Sequence, residues 1–332
     1  MGQEHLLIQE IKHLPTGETF DLGFLIEFTL VESMDLSGPK FMAEFDDPEA
    51  WLRDDVGLKE GDELEVTIAD IYARDGVDEK IKFTILTVPV TGSSVKVNAI
   101  ATVIFALKTR APKAIVFTQK SPDYIVGKLF PGIKRDVGNF PVVEDYHLLA
   151  GEYPSYMLRQ MAIEQGAHLF LRRDTVCLYR LADIMAKSEP DFTYHYDNKT
   201  EQNQILRHTA PSSQHILEDK IIRRYSGWNM TKGWVSTGES TLCPLKSSSQ
   251  STLTMKNICK SPKPAIDFTS IGNGFLKAGV CLDLVWNTLR VDAPIDESLP
   301  ERVVIFNVAH NYRANKYFSR LKGVTPLEKR IS

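Results

Sequence analysis

Eight histidines, His5, His13, His147, His168, His195, His208, His215 and His310, are the side chains in this chain best suited by type to acid–base work or metal ligation. A zinc hydrolase needs two of them one helical turn apart, as in H-E-x-x-H, and no pair has that spacing. His195-Tyr196-Asp197 sets an imidazole and a carboxylate on one face of an expected strand, a pairing that does not by itself specify a metal or acid–base role. The G-x-S-x-G elbow of an acyl-transfer serine is absent. Gly272-Asn273-Gly274 lacks the third glycine and the following helix of a phosphate cradle, so it reads as a turn. Carboxylate pairs are plentiful because the chain is acidic, and such pairs alone do not specify a glycosidase. Cys177, Cys243, Cys259 and Cys281 lie far apart with no C-x-x-C, as expected of free thiols in a reducing compartment. The expectation is a protein with no catalytic centre, no cofactor and no metal.

The elements that would carry any function are those of a folded, multi-domain chain. At 332 residues the sequence exceeds the size at which a single core stops growing, and 43% hydrophobic with 25% charged residues is ordinary for a globular protein. The net charge of −4 is spread unevenly. Between Glu44 and Glu79 fourteen acidic residues face only Arg53, Lys59 and Arg74, a distribution that repels polyanions. Asp54, Asp55, Glu60, Asp62 and Glu63 are the candidates for a surface past which nucleic acid slides without sticking; the plainer reading is a solvated face. Met1-Gly2-Gln3-Glu4-His5 has no basic segment leading into an apolar one, so no secretory leader is expected. The longest apolar run, Ala99 to Leu107, is too short to span a bilayer.

One small β-unit reads as occurring twice; the plainer reading is a common turn-then-strand pattern. Leu58-Lys59-x-Gly61-x-x-Leu64 matches Leu276-Lys277-x-Gly279-x-x-Leu282, and four extra residues in the following loop bring Glu79 onto Glu301. Period-two alternation through Leu64, Val66 and Ile68, and through Ile81, Phe83 and Ile85, marks half-buried strands. The turn chemistry of Thr91-Gly92-Ser93-Ser94 marks a boundary. Beyond it, Ser121 and Pro122 start a short helix, and a second helix from Pro154 to Gln165 ends at Gly166. The expected organisation is a first β-barrel domain over 1–92, an α+β middle domain over 93–190, and a second β-barrel domain over 191–332. A long polar loop at about 236–262 and a basic C-terminal tail belong to the last. The fold class is mainly β with a mixed α/β insert.

Val116-Phe117-Thr118-Gln119-Lys120-Ser121-Pro122-Asp123, followed some thirty residues later by Glu152-Tyr153-Pro154 through Ala162-Ile163-Glu164-Gln165-Gly166 and an aromatic hairpin, resembles the baseplate hub proteins of contractile phage tails. It is equally similar to the N-terminal half of the type VI secretion spike, the valine-glycine repeat protein (VgrG). Tyr225-Ser226-Gly227-Trp228-Asn229 and the closing hairpin around Val308-Ala309-His310 and Tyr317–Leu321 also fit. The resemblance implies two tail-tube-like barrels per chain, and a homotrimer whose six barrels form a pseudo-sixfold ring. It further implies docking on a hexameric tail tube and a trimeric central spike, contact with neighbouring baseplate proteins, and DNA only in passage. Secretion members continue into a needle, so here the needle is expected to be a separate protein. The implied location is the virion tail baseplate, assembled in the host cytoplasm. Two other functions fit the residues: a tail-associated cell-wall hydrolase, and a carbohydrate- or receptor-binding β-module using Trp228 and Trp234.

Overall fold

The structure, a computed structural model, describes residues 8–69, 79–140, 144–186, 189–198, 201, 203–211, 224–237, 243–247, 251–258, 260–288, 295–314 and 316–326. Strands whose buried and exposed side chains alternate dominate both ends. The first end supplies β1 (Ile8–His13), β2 (Leu25–Ser33), β3 (Lys40–Asp46), β4 (Glu63–Ile68), β5 (Glu79–Thr87), β6 (Val90–Thr91) and β7 (Ser94–Ala101). The middle holds α1 (Thr102–Leu107), β8 (Ile115–Lys120), α2 (Pro122–Leu129), β9 (Lys134–Val137), β10 (Glu144–Leu148), α3 (Pro154–Glu164), β11 (His168–Arg172), β12 (Thr175–Tyr179) and α4 (Leu181–Met185). The last part holds β13 (Phe192–Tyr196), β14 (Gln204–Thr209), β15 (Tyr225–Asn229), β16 (Gly233–Thr237), β17 (Leu245–Lys246), α5 (Thr252–Ile258), β18 (Pro262–Ile271), β19 (Cys281–Trp286), β20 (Arg302–Arg313) and β21 (Lys316–Pro326).

Two related six-stranded barrels result. In the first the strand order is β1-β4-β5-β7-β3-β2; in the second it is β13-β19-β20-β21-β18-β14, closed by a short β13–β14 ladder. Matching strands in chain order makes these two orders identical. The registers match as well. Leu64↔Phe83 corresponds to Leu282↔Val303, Ile85↔Ala99 to Ile305↔Gly323, and Glu44↔Lys96 to Thr269↔Arg320. Two irregularities also correspond, a bulge after Ile85 and after Ile305 and another after Leu25 and after Ile205, whereas the shift between Pro264 and Ile266 in β18 has no counterpart in β3. The barrels differ at one strand: β1 runs antiparallel to β4, whereas β13 runs parallel to β19. Beside β1 the first barrel is held instead by the Lys12↔Thr19 bridge and by Phe20 N–H donating to Ile11 O at 2.8 Å.

Four expectations need correction. The ladders put Ile85 on Ile305, so Glu79 falls on Leu299 and not on Glu301; a slip of two leaves every side chain on its own face, and hydrophobic alternation cannot register it. The Gly92-Ser93 turn is a hairpin inside the first barrel, which runs on through β7 to Ala101, so the boundary is not at 92. Within the expected polar loop, Thr252–Ile258 is a helix that buries Thr254, Met255 and Asn257. Its polar groups are satisfied by the neighbouring unit, Thr254 Oγ1 donating to Glu144 and Asn257 Nδ2 to the Glu164 carbonyl. Finally, Arg320 and Lys322 belong to β21 and not to a tail; 327–332 lie outside the described residues.

Local chemistry explains the middle unit. Ser121 Oγ accepts from Tyr124 N–H at 3.2 Å, and Pro122 occupies the first turn of α2. At the end of α3, Gly166 takes φ +62° while Ala167 N–H returns to the carbonyl of buried Ala162 at 2.9 Å. One continuous core runs from the first barrel into this unit, and a separate core fills the second barrel. A third, built on Met34, Phe170, Cys177, Ala278, Cys281 and Val304, welds all three units together. No helix among the described residues is long and apolar enough to cross a membrane.

Candidate functional site

The two copies of the repeated turn have the same backbone and different surroundings. Gly61 and Gly279 sit at φ +89° and +80°. Each donates its N–H to the bulged strand, Gly61 to Ile85 O and Gly279 to Ile305 O, both at 2.9 Å. Leu64, Leu276 and Leu282 are buried, and Leu58 is half-buried. The lysines diverge. Lys59 is exposed, whereas Lys277 forms an ion pair with Glu79 on the first barrel. A Cβ on Gly61 would meet nothing within 4 Å; one on Gly279 would lie 2.8 Å from Phe170 of the middle unit.

Lys277 thereby enters a charged cluster where three units meet. Arg173, at the turn of the β11–β12 hairpin with φ +54°, is almost wholly buried. Its Nε lies 2.9 Å from Glu32 of β2 and 3.5 Å from Glu79 of β5, and an Nη donates to the Gly274 carbonyl at 3.0 Å. The Arg173–Glu32 contact is an ion pair by distance, but the N–H does not lie along the oxygen, so attraction and not a well-formed hydrogen bond holds it. Burial pushes the Glu32 pKa up, partly opposed by Arg173 and Lys277. Buried His310 donates from Nε2 to Leu276 O at 2.9 Å, and its Nδ1 accepts from the Tyr317 hydroxyl at 2.8 Å. Burial and the charge of Arg173 pull the His310 pKa down to about 3, so the ring is neutral. The Gly272-Asn273-Gly274 turn belongs here too, Asn273 Nδ2 donating to the Tyr194 hydroxyl at 3.1 Å. Such a cluster orients domains.

A second joint is made by backbone. Along Asn307–Arg313, β20 leaves β19 and pairs with Glu27–Ser33 of β2, so one sheet runs through both barrels. Asn311 Nδ2 donates to Thr29 Oγ1 at 2.8 Å, Arg313 lies 3.3 Å from Glu27, and Phe28 stacks on Tyr312 at 5.6 Å.

The acidic candidates do not form one set. Asp54, Asp55 and Glu60 are exposed, and Glu63 is half-buried. Asp54 is paired with Arg53 at 2.7 Å, which holds its carboxyl below the usual range. Asp62 departs from expectation: it is buried against His13 at 3.1 Å and accepts from the N–H of Lys59, so it stabilises the repeated turn. Asp70, Asp75 and Asp78 lie outside the described residues. His195 lies in β13, which ends at Tyr196, while Asp197 takes φ +54°, which breaks the strand geometry expected of that pair. Among the described residues no group of three or more His, Cys, Asp or Glu side chains could hold a metal ion. Cys177, Cys243 and Cys281 are free thiols, and Cys259 lies outside the described residues. Trp228 and Trp234 face each other across the β15–β16 hairpin, edge to face at 5.7 Å and more than half exposed.

Solved structures of tail and secretion-system proteins share this fold. No family model matches the sequence, and neither does any curated protein. A tail protein from Neisseria meningitidis MC58 superimposes with a TM-score of 0.62 at 11% identity, over 95% of each chain. The 43 kDa tail protein of prophage MuSo2 from Shewanella oneidensis gives 0.62 at 12%, over 96% of this chain and 97% of that one. An E. coli component of the type VI secretion system, described as structurally similar to the T4 tail proteins gp27 and gp5, gives 0.51 at 11%, over 92% of this chain and 74% of that one. The chain has the fold of a baseplate hub related to VgrG.

Proposed function

We propose that this chain is the structural hub of a contractile-tail baseplate: a homotrimer whose six barrels form a pseudo-sixfold ring between a hexameric tube and a trimeric spike. The observation that carries the reading is the shared strand order and the matching register of most ladders between two barrels in one polypeptide. Three chains with one barrel each offer a sixfold partner three sites; three chains with two offer six. In this reading DNA passes through the bore, and Asp54, Asp55, Glu60 and Glu63 repel it from the wall. The role is non-enzymatic and the place of action is the virion tail. Solution mass and class averages of the purified chain test it. A threefold annulus is expected, and a particle that stays monomeric even with its tube and spike proteins overturns it.

A second reading attaches to the exposed Trp228–Trp234 pair, which has the geometry of an aromatic platform for a sugar ring. Glycan binding abolished by Trp234→Ala supports it. Cell-wall clearing in a zymogram, lost on substituting one carboxylate, would support the hydrolase instead.

A further inference from the structure

The seam inside the chain is a template for a seam between chains. Because β2 corresponds to β14 and β20 to β5 with β6, the β2–β20 ladder has a counterpart, formed by the edges that the duplication leaves over. Among the described residues, no strand pairs with Leu206–Pro211 on the side away from β18, past the β13 contact at Gln204 and Ile205. Nor does any strand cover Thr87–Thr91 on the side away from β7. Both edges display apolar side chains, with Leu206, Leu86 and Val90 each about two-fifths exposed.

The backbone of each edge is competent to pair. Lys96 N–H donates to Pro89 O, so residue 89 faces β7 and its missing N–H removes nothing from the outer edge. Val90 therefore presents its N–H and C=O outward, as His310 does to Leu30 in the existing seam. Pro211 falls opposite Pro89, in the place of Val31 opposite Ala309, a pair in which neither residue needs an N–H. Charge favours the same partner: residues 1–101 carry 21 acidic and 8 basic side chains, and 191–332 carry 13 and 19. A contact that sets the acidic barrel of one copy against the basic barrel of the next is attractive at long range.

We infer that, in the ring proposed above and resting on that reading, the Thr209–Pro211 edge at the end of β14 of one copy adds antiparallel to Pro89–Thr91 of the next. Thr209 then lies opposite Thr91 and Ala210 opposite Val90, as Thr29 lies opposite Asn311 and Leu30 opposite His310. This contact is head-to-tail, so it does not stop at a dimer, and with a threefold rotation it closes a cycle.

The test is a full-length Thr91→Cys/Thr209→Cys variant with exposed Cys243 changed to serine. Opposed residues of a non-hydrogen-bonded pair lie within disulfide reach. Mild oxidation is expected to give covalent species up to a trimer, with neither single-cysteine variant doing so. Val90→Pro removes an outward N–H and an apolar edge side chain and is expected to weaken association about tenfold while leaving the melting temperature of the dilute monomer unchanged. Trimers by light scattering without the cross-link overturn the seam and leave the ring standing. A monomer at every concentration, or a dimer cross-linked through Thr91→Cys alone, overturns both.

Discussion

His310 and His168 make the junction sensitive to acid. Burial dominates in both, drawing His310 down to about 3, with help from Arg173, and His168 to about 4. An unfolded histidine titrates near 6.5, so these sites give their full stability above that pH. As pH falls, the loss is about 1.4 kcal/mol per unit for each ring that stays neutral in the fold. Glu32 acts in the opposite sense, because its raised pKa favours the folded state most below 4.5 and less as pH rises through the folded value. The denaturation midpoint is therefore expected to fall between pH 7 and pH 5, and His310→Gln to remove about half the slope. A midpoint that does not move over that range would refute this. Gly279→Ala and Gly61→Ala separate strain from crowding: each incurs roughly 1–2 kcal/mol for its left-handed backbone. Only Gly279→Ala also drives a methyl into Phe170, so its measured loss should be clearly the larger. Both glycines, the Ser121 cap and Gly166 were legible in the sequence because their chemistry is local. The Arg173–Glu32–Glu79 cluster was not, because a buried charge and a solvated one are the same letter until distant strands meet.

At the level of elements, alternation located the strands well and their relative register poorly. Moving β5 by two against its counterpart preserves Ile81, Phe83 and Ile85 on the inner face, so only the hydrogen-bond ladder shows that Ile85 and not Phe83 corresponds to Ile305. Helix α5 escaped notice for a different reason: Thr254 and Asn257 are polar letters on a buried face, and their partners Glu144 and the Glu164 carbonyl belong to other parts of the chain. Asn257→Ala should free α5 from α3 at a loss of about 1–2 kcal/mol. Faster amide exchange over Thr252–Ile258, with the barrels unchanged, is the expected readout; uniform exchange across the molecule would mean that α5 is not separately anchored by this bond.

For the whole molecule, the division of charge between the barrels sets a solution property. If the acidic and basic ends attract across subunits, self-association weakens as salt rises toward a Debye length of about 3 Å near 1 M. Sedimentation at low and high ionic strength measures this, and tighter association in high salt would mean that apolar edge contacts outweigh the charges. Asp54→Lys/Asp55→Lys/Glu60→Lys is expected to give a particle that retains DNA in a shift assay where the parent does not. Absence of retention would place those carboxylates away from the bore.

In the ring proposed above, the β2–β20 ladder would change how the annulus is put together. Three of its six joints are made during folding, when the partners are already tethered and no translational freedom is surrendered. Only the remaining three depend on diffusional encounter, so closure is a three-body event whose concentration threshold lies far below that of six loose modules, and losing one subunit removes two adjacent modules at once.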